Sequence, residues 1–255
     1  MIAARGEAKL LAGGMSLIPS LKLRLAQYSD LVDLGGIADI RGIRRDGDHL
    51  VVGAMTTHAA VAASADVNTA IPVLATLANG IGDPLVRNRG TMGGSMANAD
   101  PAADYPAGVV GLGATVVTSQ REIAADDFFT GLFETALNPG EIITAVRYPI
   151  PHAAAYVKLR QQASRFAIVG VMVARTAGGV RVAVTGAGPS VFRLTDAETA
   201  LNQRFDATVL DGLKISADNL NSDIHASAEY RAHCVVVMVR RAVLAAAGGN
   251  VTVKG

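Results

Sequence analysis

The sequence predicts an α+β fold in two domains, and three observations carry that expectation. Short strand patterns alternate with helical patterns through residues 1–151. The segment Tyr148-Pro-Ile-Pro-His152 then interrupts the chain with two prolines, which end a strand and stiffen a linker. Beyond it a run of strands is followed by helices, the texture of a separate α+β unit. The expected division is 1–151 and 152–255.

Taken in order, Lys9 to Ala12 reads as a short buried strand, and Leu17 to Leu25 as a helix beginning after Gly13-Gly14-Met15-Ser16. Asp30 to Leu34 is a strand, and Ile43 to Gly53 a hairpin turning about Asp46-Gly47. Thr56 to Ser64 and Pro72 to Asn79 are rich in helix formers, with Pro72 in a first-turn position. Ala114 to Thr118 and Glu141 to Tyr148 return to strand. After the break, Tyr156 to Gln161, Ala167 to Arg175 and Val180 to Ala187 predict three strands, the last two joined by Ala177-Gly-Gly179. Helices follow from Thr195-Asp196 and from about Ala226 to Ala247.

Composition excludes several classes. A net charge of +1 with no basic stripe, five tyrosines, six phenylalanines and no tryptophan give no footprint for nucleic acid. Half the residues are hydrophobic, yet runs such as Cys234 to Val239 and Ala242 to Ala247 are too short to span a bilayer and are split by Arg240-Arg241. The single cysteine, Cys234, rules out an internal disulfide or a Cys-ligated metal centre held by this chain alone and reads as a core residue. Met1-Ile-Ala-Ala lacks the features of a secretory signal, so the expected compartment is the cytoplasm.

Chemistry concentrates in two glycine loops. In Val86 to Pro106, Thr91-Met92-Gly93-Gly94-Ser95 combines bare backbone with hydroxyls, and the N–H groups of Gly93, Gly94 and Ser95 are expected to converge on an anion. Asp104 follows as an acceptor suited to sugar hydroxyls. The upstream loop Ala12-Gly13-Gly14-Met15-Ser16-Leu17 joins a strand to a helix start, another arrangement that aims free N–H groups at a ligand. Arg87 and Arg89 flank the second loop and read as solvent-facing or anion-steering. His58 reads as a capping or surface residue, and the other histidines have no metal or triad spacing.

Leu11-Ala-Gly-Gly-Met-Ser-Leu-Ile-Pro19 and Ile81-Gly-Asp-Pro-Leu-Val-Arg-Asn-Arg-Gly-Thr-Met-Gly-Gly-Ser95 closely resemble the medium, FAD-binding subunit of molybdenum hydroxylases, the xanthine dehydrogenase and carbon monoxide dehydrogenase family. The resemblance continues through Val52 to His58, Pro139 to Ile143, Tyr156 to Lys158 and Ala228 to His233. It implies an FAD-binding domain of the vanillyl-alcohol-oxidase or p-cresol methylhydroxylase type, followed by a small α+β C-terminal flavoprotein domain. It also implies that Ala12 to Leu17 and Thr91 to Ser95 cradle the FAD pyrophosphate, that Asp104 contacts the cofactor's hydroxyl-bearing chain, that Ile81 and Ile143 pack on the ring, and that Lys158 lies near it. Family members carry a strand-and-helix unit before the first loop, of which Met1 to Gly6 reads as only the end. The start is therefore expected to be shortened.

The function implied is electron transfer without a substrate site or catalytic constellation of this chain's own. FAD would be non-covalent, with [2Fe-2S] clusters in a small partner subunit and molybdopterin in a large one, assembled as a dimer of heterotrimers. Electrons would leave to NAD, a quinone or oxygen. The alternatives are a self-sufficient flavin-dependent oxidase and an assembly protein that has lost FAD.

Overall fold

The computed structural model describes residues 7–248. The expected remnant at Met1 to Gly6 lies outside them. Strand β1 (Ala8–Leu11) pairs in parallel with β2 (Asp30–Asp33), and α1 (Leu17–Lys22) connects them. The helix stops before the predicted Leu25. It has no buried residue, Arg24 takes φ +58°, and Leu23 and Leu25 are exposed, so nothing packs against the apolar stripe to prolong it.

Strands β3 (Ile43–Asp46) and β4 (His49–Gly53) form the expected hairpin, Gly47 supplying φ +58° in the turn. Five helices follow: α2 (His58–Ala63), α3 (Ala65–Ala70), α4 (Pro72–Asn79), α5 (Pro84–Arg89) and α6 (Met92–Asn98). Thr57, Ser64, Asp83 and Thr91 each cap one of them with a side-chain oxygen. Then come α7 (Asp104–Gly111), β5 (Thr115–Thr118), β6 (Glu122–Ala124), α8 (Ala125–Phe128), the small hairpin β7 (Phe129–Gly131) and β8 (Glu134–Thr135), and β9 (Ile143–Pro149). The main sheet of this half is antiparallel, in the order β3-β4-β9-β5-β6. Its inward side chains, among them Leu50, Val52, Val116 and Val146, pack with Leu74, Leu77 and Val109 in one core.

The second half contains β10 (Ala153–Arg160), β11 (Ala167–Thr176), β12 (Gly179–Thr185), β13 (Phe192–Arg193), α9 (Thr195–Gln203) and α10 (Ala228–Ala246). The four strands form an antiparallel sheet in chain order. Val169, Val171, Val173, Val182 and Val184 face α10, against Val235 and Val239. Met172, Ala174 and Ala183 point the other way and join the first core. Burial on both faces explains why β11 reads as an unbroken apolar run rather than an alternation.

The seam is welded by backbone as well as side chains. Ala167 N donates to Ala102 O at 3.1 Å and Gly186 N to Pro101 O at 2.7 Å, while Thr185 Oγ1 reaches Pro101 O and Ala103 O. Arg181 of β12 donates to Val110 O and pairs with Asp126. Segment 100–104, directly after α6, is thereby fixed against the second half. Among the described residues no helix is long and apolar enough to cross a membrane.

Candidate functional site

The two glycine motifs come together. An added Cβ on Gly94 would lie 3.2 Å from Ala12 Cβ, and one on Gly13 would lie 2.2 Å from Arg89 O and 2.8 Å from Gly90 Cα. Residues 12–17 and 90–95 are thus two walls in direct contact, although 78 positions separate Ala12 from Gly90.

Their backbones differ in what they leave free. The second motif is not a loop but the first turn of α6, with Thr91 as N-cap. Its amides already have acceptors: Met92 N donates to Thr56 O at 3.0 Å, Gly93 N to Ala54 O at 2.8 Å, Gly94 N to Thr91 Oγ1 at 3.1 Å and Ser95 N to Thr91 O at 3.0 Å. The expectation that the N–H groups of Gly93, Gly94 and Ser95 converge on an anion is therefore corrected. Segment 54–57 runs alongside and takes the amides that a helix start normally leaves orphaned. What this motif still offers a ligand is the half-buried Ser95 and the Thr91 hydroxyl hydrogen.

At the first motif the amides of Gly13, Gly14, Met15, Ser16 and Leu17 have no acceptor among the described residues. The chain there is half-buried or exposed, with Gly14 at φ +75°. Five successive amides without partners, held against a wall of small residues, suit the phosphate oxygens of a dinucleotide.

Asp104 opens α7 and is 4 % exposed. It accepts from Tyr156 Oη at 2.5 Å and pairs with Lys158 Nζ at 2.9 Å. Burial raises its pKa above the usual carboxylate range, opposed by the Lys158 charge and by hydrogen bonds from Tyr156 and Lys158. Lys158 is no solvated strand lysine: its ammonium also donates to Gly80 O and Arg165 O, both at 3.0 Å. All three of its donors are matched. Arg165, at φ +63°, reaches Gly82 O, and Arg87 donates to Ile81 O and Gly82 O instead of facing solvent. The Ile81 segment is thus held from both halves of the molecule.

Tyr156 was not among the site residues expected from sequence. Its hydroxyl would lie 2.3 Å from a Cβ on Gly170, which is the signal that could have found it: a glycine inside the apolar run of β11 marks a close approach. Ile81 is half-buried against the first core, and Ile143 is 5 % exposed within it.

His58 is buried, not on the surface. Its ring packs 5.3 Å from that of Tyr105, its backbone N donates to Gly90 O, and a Cβ on Gly90 would meet its Nε2 at 2.6 Å. Burial, then the Arg87 charge, lowers its pKa from 6.5 to about 4. Glu141 of the Pro139 to Ile143 motif clamps a turn: Arg121, Asn138 N and Thr118 all donate to it, lowering its pKa to about 2.

Residues 1–151 match the FAD binding domain in molybdopterin dehydrogenase, and residues 154–246 the CO dehydrogenase flavoprotein C-terminal domain. The chain belongs to this family. It is 38% identical to the carbon monoxide dehydrogenase medium chain of Afipia carboxidovorans, covering 93% of this chain and 88% of that one. It is 36% identical to the nicotine 6-hydroxylase medium subunit of Paenarthrobacter nicotinovorans, covering 94% and 90%. The crystal structure of a Cu,Mo-CO dehydrogenase contains a chain that matches with a TM-score of 0.87 at 36% identity, over 95% of this chain and 91% of that one. The two-domain flavoprotein fold of the family is the fold of this chain, and the family's members are subunits of oxidoreductases.

Proposed function

We propose that this chain is the FAD-binding, electron-transferring medium subunit of a molybdenum hydroxylase, divided at 1–151 and 152–255. The observation that carries the reading is the row of five amides at Gly13 to Leu17 that find no acceptor among the described residues, set against the α6 wall, in a chain that matches the family along both domains. Gly13, Gly14, Met15, Ser16 and Leu17 would hold the pyrophosphate, with Ala12, Met92, Gly93 and Gly94 behind them and Thr91 and Ser95 offering hydroxyls. The flavin end would lie toward Ile81, Ile143, Asp104 and Lys158. When bound without a covalent link, FAD supplies the exchange of single electrons on one side for a pair on the other.

The chain's own residues bind, orient and exclude. The Lys158–Asp104–Tyr156 cluster fixes where Asp104 presents its remaining lone pairs, and Arg165 and Arg87 hold the backbone of Ile81 and Gly82 in place. In this reading molybdopterin and [2Fe-2S] groups belong to a large and a small partner subunit, as befits a chain similar to medium chains of such enzymes. A dimer of heterotrimers in the cytoplasm, delivering electrons to NAD, a quinone or oxygen, completes the reading.

Rapid-mixing spectroscopy on the FAD-loaded chain tests it. Dithionite should bleach the flavin, while aromatic heterocycles, aldehydes and carbon monoxide should leave it oxidised until both partner subunits are added. Bleaching of the lone chain by any of those substrates would favour a self-sufficient flavin oxidase.

A further inference from the structure

Glycines in a cofactor motif are ordinarily taken as places where the ligand needs bare backbone. The geometry points to a different cause here: we propose that the second glycine pair is bare because protein, not cofactor, occupies the space of the missing side chains. It acts as a positioning wall that sets the first loop's amides. This inference rests on the proposal that FAD binds at those amides.

Each glycine around the contact faces a protein atom. A Cβ on Gly93 would lie 2.5 Å from Ala54 Cβ and 2.9 Å from Ala54 O. One on Gly94 would lie 2.8 Å from Thr91 Oγ1 and 3.2 Å from Ala12 Cβ, and one on Gly90 would meet the His58 ring. Gly13 returns the contact from the other wall, against the Arg89 and Gly90 backbone. Among the glycines at this contact, Gly14 alone combines a left-handed φ, +75°, with contacts confined to side chains, those of Ile18 and Leu11. The amides of the pair are engaged as well, by Ala54 O and Thr91 Oγ1. With neither its Cβ positions nor its N–H groups turned to a ligand, the pair acts through packing. It lets α6 sit at contact distance from Ala12 and Gly13, and so fixes the height of the amides that follow.

The two accounts of Gly94 predict opposite signs in the flavin-free protein. If the space belonged to the cofactor, Gly94→Ala would leave the empty site unstrained, and the better helix propensity of alanine would raise the melting temperature. If it belongs to Ala12 and Thr91, the same change must displace the Thr91 hydroxyl from its capping position and shift Ala12 by a few tenths of an ångström without any flavin present. The experiment takes the full chain, strips FAD, and compares thermal unfolding and FAD titration for wild type, Gly94→Ala, Ala12→Gly and the double variant.

The expected result for Gly94→Ala is a melting temperature lower by about 3 °C or more in the flavin-free state, with FAD affinity down tenfold or more. Ala12→Gly in the same chain should recover a clear part of both losses by making room for the added methyl. A flavin-free Gly94→Ala protein that melts at or above wild type while losing FAD would overturn the proposal. So would a double variant with no recovery in either measurement. Failure of the underlying reading looks different, because wild type itself would then show no saturable FAD binding.

Discussion

The two glycine motifs are alike in sequence and unlike in physics. Gly13 to Leu17 form a row of amides without acceptors among the described residues, whereas Thr91 to Ser95 has every first-turn amide taken by Ala54, Thr56 or Thr91. One loop offers donors and the other offers shape. A Gly-Gly pair therefore reports close approach, and whether the approaching object is a ligand or a neighbouring strand depends on what the fold brings alongside. Here segment 54–57, pinned through the Thr57 to Thr91 bridge, is that neighbour.

The strongest way to break the comparison is at Gly93. A valine there would drive branched methyls into Ala54, whose Cβ and carbonyl lie within 3 Å of the added Cβ. Overpacking against backbone typically costs about 1–3 kcal/mol or more. Loss of the Gly93 N to Ala54 O bond would add about 1 kcal/mol. Gly93→Val should therefore damage the fold itself, read as loss of the cooperative melt or a large drop in its midpoint. A Gly93→Val protein that melts like wild type and lacks only FAD would restore the cofactor as the cause.

A smaller effect sharpens the comparison at the foot of the second loop. The folded protein holds His58 neutral, with its pKa lowered from 6.5 to about 4, so the unfolded chain binds the extra proton between those values. The His58 contribution is fully present above about pH 6.5 and declines as pH falls toward 4. The decline amounts to about 3 kcal/mol. His58→Gln should remove that part of the acid sensitivity, visible in denaturant melts of the two proteins from pH 7 to pH 4. Parallel curves would show that burial at this position does not govern the titration.

Much of this was legible in the chain. Pro72 at a first helical position and Asn79 before Gly80 bracketed α4 correctly, and β4, β9 and β11 were announced by their apolar runs. The helix at Met92–Asn98 was not, because glycine at two consecutive positions is a poor helix former; Thr91 capping and the 54–57 segment support it instead. Asp104 and Lys158 were named as site residues, but their mutual pairing was hidden. It depends on β10 crossing the seam beside α7, a contact 54 residues apart that no local pattern encodes. His58 looked like a surface residue for the same reason, since its partners Gly90 and Tyr105 arrive from α5 and α7.

The proposed function rests on FAD held without a covalent bond by five amides that find no acceptor among the described residues, backed by a wall whose own amides are occupied. Its most direct test is the flavin content of the purified full chain after acid precipitation, with the supernatant resolved by chromatography. The expected result is a yellow supernatant containing FAD, close to one equivalent per chain in freshly prepared or FAD-supplemented protein, and a colourless pellet. Protein that stays colourless and takes up no FAD on titration, or flavin that remains with the pellet, would contradict it.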